Sequence, residues 1–157
     1  METDLSMLVS KQKITEEKKA DVLQSIRFTT DISDCKGGLV IEAIIEKLEI
    51  KVSLFRQLAS MNGPETIFAS NTSSLSISAI AQQIPVPERM AGLHFFNPAP
   101  VMKLVEIING YATKKEVTQK IIELSKQLGK IPCSVNDYPG FIANRILMPM
   151  INEAIYS

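Results

Sequence analysis

Two residues within "AGLHFFNPAPVMKLVEIING" (91–110) have the types needed for proton chemistry. His94 is the one histidine of the chain, and Glu106 is the one carboxylate in a run that otherwise reads as an apolar strand. Burying a carboxylate costs several kcal/mol unless it is paired. If the strands joined by "NPAPVMK" lie side by side, antiparallel or returning, His94 is the candidate partner. In such a pair the carboxylate selects the imidazole tautomer and stabilises the imidazolium formed on proton uptake. That is a general base working near neutral pH. The plainer alternative is a structural histidine near a strand end.

Two further stretches could add contacts. "SNTSSLSI" (70–77) places hydroxyls and an amide at a strand exit, where open α/β sheets gather ligands. Alternatively, Ser73 or Ser74 caps the helix "SISAIAQQI". "PGFIANRIL" (139–147) puts Asn144 and Arg145 one turn into a helix, able to reach a ligand or simply solvated.

The elements that must position these residues follow from periodicity. "ETDLSMLVSKQKI" and "TEEKKADVLQSI" read as helices, the second opening on a threonine followed by two acids. "IRFTTD" alternates and reads as a short strand, and "ISDCKGG" as a short helix or turn. "LVIEAI", interrupted only by Glu42, has the apolar continuity of a strand buried on both faces. The helix "EKLEIKVSLFRQLASMNG", the strand "TIFASNTS" and the helix "SISAIAQQI" come next. The strands "RMAGLHFF" and "KLVEIING", an amphipathic helix stopped at Gly129 and the strand "IPCSVN" complete the alternation. The predicted class is α/β, a partial Rossmann-like, mainly parallel sheet with flanking helices. A final helix, "PGFIANRILMPMINEAIYS", carries an apolar stripe of Ile142, Ile146, Met150, Ile151 and Ile155 that needs a partner.

Bulk properties narrow the class. Lysine plus arginine is 17 and aspartate plus glutamate is 17 in 157 residues, so neither a basic nucleic-acid surface nor an acidic tail is expected. No apolar run reaches the roughly 20 residues of a membrane span, and the first residues do not read as a secretory signal. Cys35 and Cys133 stand in no metal-ligand spacing, so no metal site is expected. Two lone cysteines suit a reducing cytoplasm.

Taken together, "FASNTSSLSISAIA", "RMAGLHFFNPAPVMKLVEII" and "LGKIPCSVNDYPGFIANRIL" resemble the L-3-hydroxyacyl-CoA dehydrogenase family, in particular its bacterial 3-hydroxybutyryl-CoA members. "TTDISDCKGGLVIEAIIEKLEIK" looks like the same family's third and fourth strand region. The resemblance implies reversible, NAD-dependent oxidation of a 3-hydroxyacyl-CoA to the 3-ketoacyl-CoA, with NADP left open. It implies His94 as the base and Glu106 as its orienting partner. It implies Ser73 and Asn144 as contacts to the reacting group. It implies Glu46, Lys51, Ser73 and Asn97 as residues near the nicotinamide ribose and ring.

The chain also departs from the family's pattern. No G-x-G-x-x-G, the turn that seats a dinucleotide pyrophosphate, occurs in it. The expectation is an incomplete NAD-binding domain over residues 1–137. Residues 138–157 would begin an all-helical C-terminal domain that in the family supplies dimer contacts and part of the acyl-CoA cleft. Without a neighbour, "LVIEAI" would be an open edge, so a homo-oligomer through that edge and the final helix is expected. Turnover by this chain alone is expected to be weak or absent. The alternative function is a non-catalytic acyl-CoA-binding or assembly homologue.

Overall fold

The computed structural model describes residues 1–157. The chain divides into two compact units, residues 1–34 and 35–157.

The first unit holds α1 (Glu2–Ser10) and α2 (Glu16–Gln24). Thr15 caps α2 by accepting the Lys18 N–H at 3.1 Å, and Glu16 and Glu17 occupy its first turn as expected. "IRFTTD" is not a strand. A strand exists only through hydrogen bonds to a neighbour, and these residues join no sheet. Local side-chain bonds hold them instead: Asp34 accepts from the Arg27 guanidinium at 3.0 Å and from the Thr29 hydroxyl at 2.7 Å.

The second unit is a five-stranded sheet in the order β1 (Leu39–Glu42), β2 (Ile67–Ser70), β3 (Met90–Phe95), β4 (Leu104–Asn109), β5 (Ile131–Asn136). All neighbours are parallel except β3 and β4. The helices are α3 (Leu48–Met61), α4 (Ile77–Ala81), α5 (Lys115–Gln127) and α6 (Ala143–Tyr156). This is the mainly parallel, helix-flanked sheet read from the sequence.

Alternation along the strands sorts side chains onto two faces. Ile67, Ala69, Ala91, Leu93, Val105 and Ile107 pack with Val117 and Ile121 of α5. On the other face Phe68 meets Phe55 of α3 edge to face, with centroids 6.2 Å apart. There too Gly92 lies under α4: a Cβ at this position would sit 2.8 Å from the Ile108 side chain and 3.0 Å from Ile77. His94 and Glu106 lie on this second face, two residues along from Gly92 and Ile108.

Three local expectations change. β1 ends at Glu42, because its carboxylate accepts the Ile44 N–H at 2.6 Å and turns the chain there. The residue that caps α4 is Ser76, whose hydroxyl accepts the Ala79 N–H at 3.1 Å, rather than Ser73 or Ser74. Residues 139–142 form a turn, so α6 begins at Ala143 and Asn144 is its second residue, not one turn in. β1 does lie at the sheet edge, with Ile41 45% exposed, and α6 has no buried residue along its apolar stripe.

Candidate active site

β3 and β4 run antiparallel with His94 opposite Glu106. Directly opposed residues project to the same face at close range, so register alone brings the pair together. Nδ1 of His94 lies 2.9 Å from Oε2 of Glu106, and both residues are buried. An ionised carboxylate only accepts, so the proton is on Nδ1 and Nε2 is the ring's basic nitrogen. Nε2 makes no hydrogen bond within the chain. Phe96 and Phe141 pack on the imidazole, with centroids 4.7 and 5.8 Å away. The other oxygen of Glu106 accepts the backbone N–H of Ile142 at 3.0 Å and of Ala143 at 2.9 Å. The carboxylate expected from sequence therefore carries three charge-assisted bonds, which is how its burial is offset.

Ser73 sits on the exit of β2. Its hydroxyl is exposed and makes no hydrogen bond in the chain, while its carbonyl accepts Nδ2 of Asn144 at 3.3 Å. The structure thus joins the predicted set as a chain: Ser73 to Asn144, then one residue along the backbone to Ala143, then Glu106 and His94. Asn71 ties the two strand exits by accepting the Phe95 N–H at 2.8 Å, a link the sequence did not suggest. Asn97 stands apart, exposed in the loop after β3 with no side-chain hydrogen bond to the others.

Glu46 and Lys51 belong to a network at the carboxyl end of β1. Lys51 is buried and donates to Glu42 at 2.6 Å, to the Ile44 carbonyl at 3.2 Å, and pairs with Glu46 at 3.2 Å. Glu42 also accepts from the Ser70 hydroxyl at 2.7 Å. Glu46 accepts from the Thr72 hydroxyl, from the Ser73 N–H at 3.2 Å and from the Ser74 hydroxyl at 3.2 Å. Partial burial pushes the Glu46 carboxyl up, but the Thr72 and Lys51 hydrogen bonds and the Lys51 charge outweigh it and hold it below the usual glutamate value. Glu42 and Thr72 carry no role in the sequence reading. The signal for Glu42 was the one that exposed Glu106, a lone carboxylate in an apolar strand.

The chemistry of this donor set suits the ribose end of a dinucleotide. Glu46 keeps a 40% exposed carboxylate able to accept ribose hydroxyls, held rigid by four partners. No Gly-rich phosphate turn is present to seat a pyrophosphate.

Residues 1–138 match the family model described as 3-hydroxyacyl-CoA dehydrogenase, NAD binding domain. The chain belongs to this family. It is 49% identical over 156 residues to a probable 3-hydroxybutyryl-CoA dehydrogenase of Deinococcus radiodurans, covering 99% of this chain and 56% of the relative. It is 46% identical over 155 residues to the human mitochondrial hydroxyacyl-coenzyme A dehydrogenase, covering 94% of this chain and 49% of that protein. The crystal structure of 3-hydroxybutyryl-CoA dehydrogenase from Escherichia coli K12 superposes with a TM-score of 0.95 at 47% identity, covering 98% of this chain and 33% of that one. The chain spans about half the length of the curated relatives it matches. No helix is long and apolar enough to cross a membrane. The fold is thus that of a 3-hydroxyacyl-CoA dehydrogenase NAD-binding domain.

Proposed function

We propose that this chain supplies the proton-handling part of a 3-hydroxyacyl-CoA dehydrogenase site, acting on 3-hydroxybutyryl-CoA or a related 3-hydroxyacyl-CoA. The observation that carries the reading is the buried His94–Glu106 pair with Nε2 left free. In the oxidation direction Nε2 of His94 takes the proton of the substrate 3-hydroxyl, and Glu106 stabilises the resulting imidazolium. Ser73 and Asn144 hold the hydroxyl in reach of Nε2, a matter of placement rather than bond making. Glu46, with Ser73 and Asn97, would lie toward the nicotinamide riboside of NAD, and the buried Lys51 would act through Glu46, which it pairs with at 3.2 Å. When bound, NAD supplies the hydride acceptor.

Residues 1–137 belong on this reading to the NAD-binding domain, and residues 138–157 begin a helical one. A homo-oligomer uses the β1 edge and the face of α6. Two free cysteines suit a reducing compartment, and the cytoplasm is the location proposed. The second reading is a non-catalytic acyl-CoA-binding or assembly homologue.

Two measurements test the proposal. Loss of NADH absorbance with acetoacetyl-CoA reads turnover, expected to be weak or absent for this chain alone. Ring resonances of His94 read binding, and acetoacetyl-CoA is expected to shift them. A His94 ring indifferent to saturating acetoacetyl-CoA, with no turnover, would reject both the catalytic and the acyl-CoA-binding readings.

A further inference from the structure

The two oxygens of Glu106 are held by different parts of the fold. Oε2 faces His94 across the sheet, while Oε1 accepts two N–H groups at the mouth of α6. The first N–H groups of a helix have no partner within it. Ile142, at the N-cap of α6, offers no side-chain cap. Glu106 caps the helix in its place, from 36 residues away. Fixing the far oxygen fixes the rotation of the carboxylate, and so holds the near oxygen on Nδ1.

The direction of those two donors is set by the turn before them. Gly140 has φ +76 and Phe141 has φ +49, both left-handed. For a bulky aromatic this costs on the order of 1–2 kcal/mol. The conformation is offset by what it places: the Phe141 ring is 2% exposed and lies edge-on to the imidazole. Gly140 is bound to its role as well. A Cβ there would stand 3.0 Å from the backbone nitrogen of Arg145, which donates to the Gly140 carbonyl at 3.0 Å. One strained turn therefore packs a ring against the base and aims two donors at the back of its carboxylate.

We infer that the Gly140-Phe141 turn is a positioning element for the base, keeping Glu106 in the rotation that holds His94 as the Nδ1–H tautomer with Nε2 open. Its functional meaning rests on His94 being the base. The tautomer itself is read without substrate or cofactor, so failure here and failure of the dehydrogenase reading are distinguishable.

The experiment is ¹⁵N NMR of the imidazole, unambiguous because the chain has one histidine. The parent chain should show the Nδ1–H form. Gly140→Ala strains the φ +76 backbone and crowds the Arg145 nitrogen at 3.0 Å, so the first turn of α6 should shift against Glu106. The ratio of Nδ1–H to Nε2–H forms should fall about fivefold, the worth of one net hydrogen bond of about 1 kcal/mol. A folded Gly140→Ala chain with lowered Tm and an unchanged tautomer ratio overturns the inference. A second measurement uses the parent chain alone, and decides the matter if Gly140→Ala does not fold. As pH is lowered until His94 is protonated, the Ile142 and Ala143 amide protons should shift in step with the ring, because they share its carboxylate. The Arg145 amide, bound to the Gly140 carbonyl, should stay flat. Ile142 and Ala143 amides that ignore the imidazole transition also overturn it.

Discussion

Glu106 and His94 are directly opposed across the only antiparallel pair in the sheet, 2.9 Å apart and buried together. A parallel β3–β4 pair would have needed a long crossover. The antiparallel return lets a short loop deliver both residues to one face. The catalytic expectation is that His94→Ala lowers whatever turnover the assembled site shows by about 10²–10⁴-fold, the range for losing a positioned general base. NADH-coupled rates with acetoacetyl-CoA check it. A variant that keeps its rate while losing stability would identify His94 as a core residue only.

Lys51 and Glu42 form the most deeply buried ion pair, with side chains 1% and 0% exposed. Removing one partner leaves the other charged and unmatched. Lys51→Met should destabilise the chain by about 3–5 kcal/mol, read by urea unfolding. The double variant Lys51→Met, Glu42→Gln should recover part of that loss, since Gln can still accept from Ser70. A single variant within about 1 kcal/mol of the parent would mean that the pair is dispensable.

Packing on the site face is equally restrictive. At Gly92 an added Cβ meets Ile108 at 2.8 Å. Gly92→Ala should cost about 1–3 kcal/mol through strand displacement. Because β3 also carries His94, the His94 ring resonances should broaden or shift as well. Unfolding curves and NMR spectra of the variant give both readouts.

Glu46 sets a pH dependence whose sign follows from its lowered folded-state value. A carboxyl depressed in the folded state stabilises fully above its unfolded value, and the contribution is lost as pH falls through the folded value. The Tm difference between the parent and Glu46→Gln should thus be largest near neutral pH and shrink in acid. Thr72→Val, which removes the closest donor to Glu46, should reduce the neutral-pH difference. A gap that widened on acidification would contradict this sign.

The edge of the sheet predicts association. β1 is an outer strand, with Ile41 45% exposed, and edges of this kind invite pairing. Sedimentation should show concentration-dependent oligomers, and Ile41→Lys should shift them toward the monomer. Identical sedimentation of the two chains would remove the β1 edge from the proposed interface.

What the sequence determined by itself was local or chemically conspicuous. Strand and helix alternated because apolar periodicity is a property of neighbouring residues, and α3, α5 and the five strands of the sheet follow it. Glu106 stood out because a carboxylate in an apolar strand demands a partner, and three motifs in order carried the family likeness. The tertiary structure decided whatever depended on distant groups. "IRFTTD" has strand-like residues but joins no sheet, and propensity cannot supply a neighbour. Glu42 gained its role through Ser70, 28 residues away, and Lys51. The left-handed backbone of Phe141 contradicts its local preference, so α6 starts later than its sequence suggests. That turn holds because contacts from β3 and β4, remote in sequence, compensate its strain.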